Sequence, residues 1–552
     1  MRAFLDVLRF ELHMQCGSRL FQGVLFLFFA VHLLTLAQTG INLTDNELIH
    51  IDSPYLIFQT QLVLSLFGLL PALIFVVQSI VRDYDRGTVE LFFTAPVDAR
   101  SWLLGRFAGG TICALLAALA GLLGTVAGRF MPWLEQSRIG PFDLVPYAAS
   151  FVAIDLPNLL VFCAIAFAVA ASTRSQAWTF AVALTVVVVE AALFSATQNG
   201  GASRLQFIDP LGGLPIREAS RYWTVTELNT RMPVTLTVLG NRLIWLGLGA
   251  SVLVWTVARF RLALPKPSRR TWPGWRRKAG TAEPAPQSHT MKGVPRFAPN
   301  DMLAMFLSQL GTDLRAVVLS PLFALIAAFT VSDTLSEFQG NTDLLMGLPL
   351  HPLTGLMLGF LRFGLFQFVL LVVIFYSATL VFRERERGLA EIVGATPHPD
   401  WLMVLSKTLT LIVSVCVLLG VSIATSIALQ LLAGHRDVEL GLYVQGSFVY
   451  NGIYFFMMCV LAVTVQAFSP GKWSGMVILA ALFTALLSLE ALGFEHVLYG
   501  FRIPLVVYSD MNGFGHFRLP TMSLIVYWSR FHVERAGSWQ PATARRTGSS
   551  KR

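Results

Sequence analysis

The sequence predicts an all-α polytopic membrane protein made of two parallel six-helix units in one chain. Three observations carry this: a shortage of charge, a series of apolar windows of membrane-crossing length, and a charged loop that occurs twice. Of 552 residues, 55% are hydrophobic and only 13% charged, whereas soluble domains carry about a quarter charged residues. The net charge of +9 falls between the apolar runs. There it reads as a determinant of topology rather than a nucleic-acid surface.

A helix needs about 20 apolar residues to cross the hydrocarbon core. In the first half such windows are 20–44, 53–81, 107–128, 156–173, 175–203 (interrupted by Glu190) and 232–258 (interrupted by Arg242). In the second half they are 316–332, 363–382, 408–435, 440–471 and 473–489. The remaining stretch, 519–529, contains Pro520 and reaches only about 16 Å as a helix, half a membrane. The second unit is therefore expected to have a missing or degenerate last helix.

The charges orient these windows. Arg2, Arg9 and Arg19 precede the first, in an amphipathic stretch that also holds Asp6 and Glu11 and lacks the pattern of a secretory signal. Asp45, Glu47 and Asp52 follow it, and then come Arg82, Arg86, Arg100 and Arg106. The second half repeats this order, with Asp333, Glu337 and Asp343 in one loop and Arg383, Arg385, Arg387 and Lys407 in the next. The positive-inside rule places the N-terminus and both basic loops in the cytoplasm. Residues 259–300 hold Arg259, Arg261, Lys266, Arg269, Arg270, Arg276, Arg277, Lys278, Lys292 and Arg296 against the single acid Glu283, among many prolines. They read as a solvated linker, with or without contact to anionic lipid headgroups. The chain divides into a first membrane unit (1–258), this linker (259–300), a second membrane unit (301–529) and a polar tail (530–552).

The repeat is explicit. Residues 82–106 align without gaps on 383–407 at a constant offset of 301. Arg82 meets Arg383, Asp83 meets Glu384, Asp85 meets Glu386, Arg86 meets Arg387 and Gly87 meets Gly388. Further on, Glu90 meets Glu391, Pro96 meets Pro397 and Arg106 meets Lys407. Both copies lie between the second and third spans, so the repeat is parallel rather than inverted. Gly87 and Gly388 permit a turn out of the span. Val89, Leu91, Phe92 and Phe93 against Glu90 make a short amphipathic stretch on the membrane surface, and Pro96 and Pro397 end it.

These segments, R-D-Y-D-R-G-T-V-E-L-F-F-T-A-P-V at 82–97 and R-E-R-E-R-G-L-A-E-I-V-G-A-T-P-H at 383–398, resemble the loop between spans two and three of ABC-2 type transporter permeases. The 208–212, 221–231 and 241–245 segments resemble the membrane portion of ABC-2 permeases fused to an M1-type aminopeptidase. The resemblance covers roughly residues 1–520. It implies that the repeated segments are coupling helices that dock ATP-binding subunits, through Arg82, Asp83, Asp85, Arg86, Gly87, Glu90 and Pro96 in one copy. In the other copy the docking residues are Arg383, Glu384, Glu386, Arg387, Gly388, Glu391 and Pro397. It further implies an exporter of the bacterial inner membrane with two ATP-binding partner subunits, contact with membrane lipid, and an M1-type peptidase as a further partner. Two departures stand out: no H-E-x-x-H occurs, and the chain stops where the family enters its twelfth helix.

Other chemistry is sparse. The Gly471–Lys472 pair is followed by Trp473 and is no P-loop. ATP and Mg²⁺ are thus expected in the partner and no cofactor in this chain, which is a transporter subunit rather than an enzyme. The five cysteines, Cys16, Cys113, Cys163, Cys416 and Cys459, make no C-x-x-C pair, and no metal site is expected. His32 reads as a histidine bonded to a neighbouring helix, and Asp155 before Pro157 as the helix-start residue of span four. Glu190 and Glu490 lie toward the outer ends of the fifth spans. They either meet water or a neighbouring loop, or form an outer gate. Tyr222 and Trp223, with Tyr499, Phe514 and Phe517, are expected to cap the outer side of the path. The competing readings are a secondary transporter, which would need midplane ionisable residues, and an inactive membrane scaffold.

Overall fold

The computed structural model describes residues 2–42, 48–85, 88, 98–132, 134, 136–196, 205–260, 299–342, 352–395, 399–488, 508–509 and 511–536. Helix α1 (Arg2–Cys16) leads into α2 (Arg19–Asn42) through a turn in which Ser18 Oγ accepts from Phe21 N at 3.1 Å. Helix α3 (Pro54–Ser65) starts at Ser53, whose side chain accepts from Leu56 N, with Pro54 at the first helical position. The chain stays helical through a tight turn (Leu66–Gly68), Leu69–Pro71 and a wide π-helical stretch (Ala72–Val77) into α4 (Gln78–Asp85). Pro71 has no N–H to give, so the ladder changes register around it.

Asp98 caps α5 (Ala99–Gly128) by accepting from Ser101 N. Then α6 (Val145–Ser150) runs through a π-helical stretch, Phe151–Asp155, into α7 (Leu156–Thr173). Arg174, at φ 53°, ends α7 with a left-handed residue, and α8 (Gln176–Ala196) follows. Short helices α9 (Gly213–Ser220) and α10 (Val225–Thr230) precede α11 (Leu236–Arg259).

The second half repeats the order: α12 (Pro299–Val318), α13 (Pro321–Thr342), α14 (Thr354–Glu386), α15 (Ala390–Gly394) and α16 (Asp400–Leu432). Helix α17 (Leu440–Val444) passes through another π-helical stretch, Gln445–Asn451, into α18 (Gly452–Phe468), and α19 (Lys472–Ser488) and α20 (Arg518–Ala536) complete the half. Among the described residues nine helices are long and apolar enough to cross a membrane, and Gln176–Val187 and Lys472–Leu486 are shorter apolar helices. The protein is all-α and polytopic.

The halves pack crosswise. Helix α2 of the first half lies on α19 of the second, and α8 of the first lies on α13 of the second. Within the first half, α5 packs most extensively on α2 and α1. That approach needs small residues, because lipid supplies no hydrophobic force between helices and close contact must substitute for it. A Cβ at Gly109 would sit 2.8 Å from Glu11 Cβ.

Several expectations are corrected. Asp155 does not start a helix. Its backbone is helical and its side chain caps nothing, because span four begins ten residues earlier, at Val145. Its carboxylate is buried and accepts from Gln61 Nε2 at 2.6 Å, while Gln61 Oε1 accepts from Thr125 at 3.2 Å. A partner on span two makes that depth tolerable. His32 bonds to its own helix, with Nδ1 2.8 Å from Phe28 O. Asp333 and Glu337 belong to α13 rather than to a loop, and Gln367 of α14 donates to Asp333 at 3.3 Å. A helix also forms over Arg518–Ala536, longer than the 519–529 window. It is not among the nine long apolar spans, because Arg530, Glu534 and Arg535 lie in its second half.

Candidate functional site: paired charge clusters at the base of the repeats

The first cluster joins three elements. Glu11 faces inward from amphipathic α1, Arg82 and Asp83 end the second span, and Arg106 lies in the first turns of α5. Arg106 Nη1 is 2.5 Å from Glu11 Oε2, and its Nη2 is 2.6 Å from Asp83 Oδ2. Arg82 Nη2 reaches Glu11 Oε2 at 3.2 Å. The Arg106 side chain is only 1% exposed and that of Glu11 is fully buried. Gln15 donates to Glu11 and also to Phe75 O at 3.1 Å. A buried charge survives only when paired and hydrogen-bonded, and here two guanidinium groups bracket two carboxylates.

The second half builds the same device from different residues. Asp313 on α12 takes the place of Glu11 and pairs with Arg383 at 2.5 Å, while Gln309 donates to it at 2.9 Å. Burial pushes the Asp313 carboxyl above its ordinary range, opposed by the charge of Lys407, the Gln309 hydrogen bond and the charge of Arg383. Lys407, in the place of Arg106, pairs with Glu384 at 2.7 Å and donates to Leu380 O at 2.5 Å. In both halves the second span is thereby tied to an amphipathic helix on one side and to the third span on the other.

The sequence-predicted residues thus fall into separate groups. Arg82, Asp83, Arg383 and Glu384 spend their charge inside the protein. Glu386 pairs with Lys472 at 3.1 Å. Arg387, Gly388 and Glu391 are exposed, Gly388 turning the chain at φ 68°. Beside them Leu389 and Ile392 are 43% and 65% exposed. Arg86, Gly87, Glu90, Pro96, Pro397 and Glu490 lie outside the described residues, as does the side chain of Asp85. The sequence reading passed over Glu11 and Asp313. The available signal was a single acid on the inward face of each amphipathic helix, flanked by Leu8 and Leu12 or by Leu310 and Leu314.

At the far end of the first half, Glu190 lies against the 209–214 loop. It meets the Asp209 carboxyl and accepts from Leu211 N–H. Asp209 in turn accepts from the N–H groups of Leu211 (2.8 Å), Gly212 (2.9 Å) and Leu214 (2.6 Å). Arg242 is buried beneath this loop, donating to Asn158 and Asn241 and to the carbonyls of Asp209 and Pro210. Gly212, at φ 86°, lets the loop pass so close that a Cβ would meet the guanidinium at 2.8 Å. Tyr222 is 83% exposed on the following turn, and Trp223 N bonds to Ser220 O at 3.1 Å.

Residues 7–251 match a family model described as ABC-2 family transporter protein. The first membrane unit thus carries an ABC-2 family transporter domain. The match covers the unit that holds the Glu11–Arg82–Asp83–Arg106 cluster. No curated protein matches the chain. The second half, outside that match, carries the cluster again in altered residues.

Proposed function

We propose that this chain is the permease subunit of an ATP-driven ABC exporter, with both halves of the translocation path on one polypeptide. One observation carries the reading: at the base of both second spans, the segment that resembles a coupling helix is held by buried ion pairs to an amphipathic helix and to the third span. A push on that segment moves three helices together, because breaking such pairs is costly. Two ATP-binding subunits, carrying ATP and Mg²⁺, dock on 82–97 and 383–398. Arg387, Glu391, Leu389 and Ile392 offer an outward-facing surface for this on the second copy. Arg82, Asp83, Arg383 and Glu384 pass the movement on from within. The positive-inside rule puts the basic segments and the N-terminus in the cytoplasm of a cell whose inner membrane holds the protein. An apolar path suits a lipid, peptide or antibiotic-like amphiphile.

The test is affinity purification of the tagged, detergent-solubilised chain. A stoichiometric ATP-binding subunit is expected with the native chain and is lost with Glu90→Lys/Glu391→Lys, while membrane insertion is unchanged. A pure chain without an ATPase, or co-purification indifferent to both reversals, overturns the reading.

A further inference from the structure

The two fifth spans start side by side. Lys472 opens α19 and Gln176 opens α8, and Lys472 Nζ lies 3.1 Å from Gln176 Oε1 across the boundary between the halves. The same ammonium lies 3.1 Å from Glu386, the last residue of α14. One turn further into the membrane, Phe180 of α8 stacks on Trp473 of α19 at 6.1 Å and packs on Phe375 of α14 at 4.5 Å. With its amide turned so that both of its atoms are satisfied, Gln78 of α4 accepts from Trp473 Nε1 at 3.2 Å. Second and fifth spans of both halves therefore converge on one aromatic group with one lysine at its rim.

We propose that Lys472, Gln176 and Glu386, with the Phe180–Trp473–Phe375 group behind them, are the cytoplasmic gate between the halves, held shut in this structure. The inference deepens the permease reading, on which the sense of opening rests. The mechanical link is short. Glu386 is followed by Arg387 and by the left-handed turn at Gly388, so displacement of the exposed 389–395 segment acts on the Glu386 side chain within one helical turn. On the first half, Gln78 lies one turn before Arg82 on α4. The Glu386 carboxylate is 46% exposed and Lys472 10%. Such a partly hydrated pair is weak enough to be broken by a docking subunit and strong enough to bias a resting population. The device is one-sided: α8 opens with the uncharged Gln176 where α19 opens with Lys472, so the second half's segment controls the latch.

The experiment uses the full-length chain with its five cysteines replaced by alanine and one reporter, Leu184→Cys, one turn above Phe180 on the same face of α8. Labelling by a membrane-impermeant maleimide is timed in inside-out vesicles without nucleotide. Slow labelling is expected with the latch intact. Labelling about fivefold faster is expected with Lys472→Gln or Glu386→Gln, the factor that the worth of a partly exposed pair permits. The exchange Lys472→Glu/Glu386→Lys should restore the slow rate, and a second reporter, Ala117→Cys, buried inside the first half, should stay unlabelled throughout. Equal rates in all variants, an exchange that fails to restore, or parallel labelling at Ala117→Cys (general loosening) each overturn the gate. The rates are read without any ATPase, so a failed pull-down removes the permease reading and leaves this result standing separately.

Discussion

Replacing Arg106 by methionine removes the cation that lies closest to both Glu11 and Asp83, at 2.5 and 2.6 Å. The methionine keeps much of the stem volume, so the effect reads charge rather than a cavity. One guanidinium then serves two carboxylates: Glu11 keeps Arg82 at 3.2 Å and the neutral Gln15 amide, while Asp83 keeps a looser contact to the same Arg82 at 3.7 Å. Leaving an uncompensated charge in a buried site costs about 3–5 kcal/mol. In SDS-titrated unfolding from mixed micelles, Arg106→Met is therefore expected to lose about that much stability. Exposed Arg387→Gln, a control in the repeated segment, is expected to stay within about 0.5 kcal/mol of the native chain. Adding Glu11→Gln to Arg106→Met should recover part of the loss, because the two share one network and couple by about 1–3 kcal/mol. If Arg106→Met and Arg387→Gln unfold alike, or if the double variant is simply additive, the cluster is not the structural joint described above.

Three further outcomes are expected. Gly109→Leu forces side-chain atoms into Glu11 and should cost about 1–3 kcal/mol, seen as faster proteolysis of α1. Gly420→Ala, with open space around it, should gain up to about 1 kcal/mol from helix propensity, and equal effects at the two glycines would refute the packing argument. Asp155→Leu leaves Gln61 Nε2 without its acceptor and should cost about 1–3 kcal/mol, whereas Asp155→Asn, which keeps an oxygen there, should cost less in the same unfolding assay. Thr224→Ala breaks the reciprocal Thr224–Glu227 cap and should lose about 1 kcal/mol locally, measured as faster amide exchange at Glu227 with no change at Arg106.

Much of the fold was legible in the sequence because a bilayer allows few solutions. Backbone groups in lipid must bond within a helix, so apolar length alone locates most spans. The loop repeated between 82–106 and 383–407 located the charged base of both units. What the linear pattern could not give was the direction of each charge. Arg82 and Arg387 look alike in a window of basic residues, yet Arg82 reaches inward to Glu11 and Arg387 is exposed. The difference is made by α1 and α12, which bring an acid to the spans from a separate element. Asp155 was misplaced for the same reason. A carboxylate marks a helix start when it accepts from the free N–H groups of the first turn, as Asp98 does, whereas Asp155 accepts from Gln61 of another span.

By itself, then, the sequence determined that the protein lives in a membrane, how its units repeat and which segment lies at their base, since these follow from hydrocarbon thickness and charge solvation along the chain. Tertiary structure alone decided which charges neutralise one another, that Asp313 and Lys407 stand in for Glu11 and Arg106, and that Lys472 meets Glu386 and Gln176 across the halves. Those pairings join residues far apart in the chain. Their energy depends on distance and burial, neither of which is written in the order of residues.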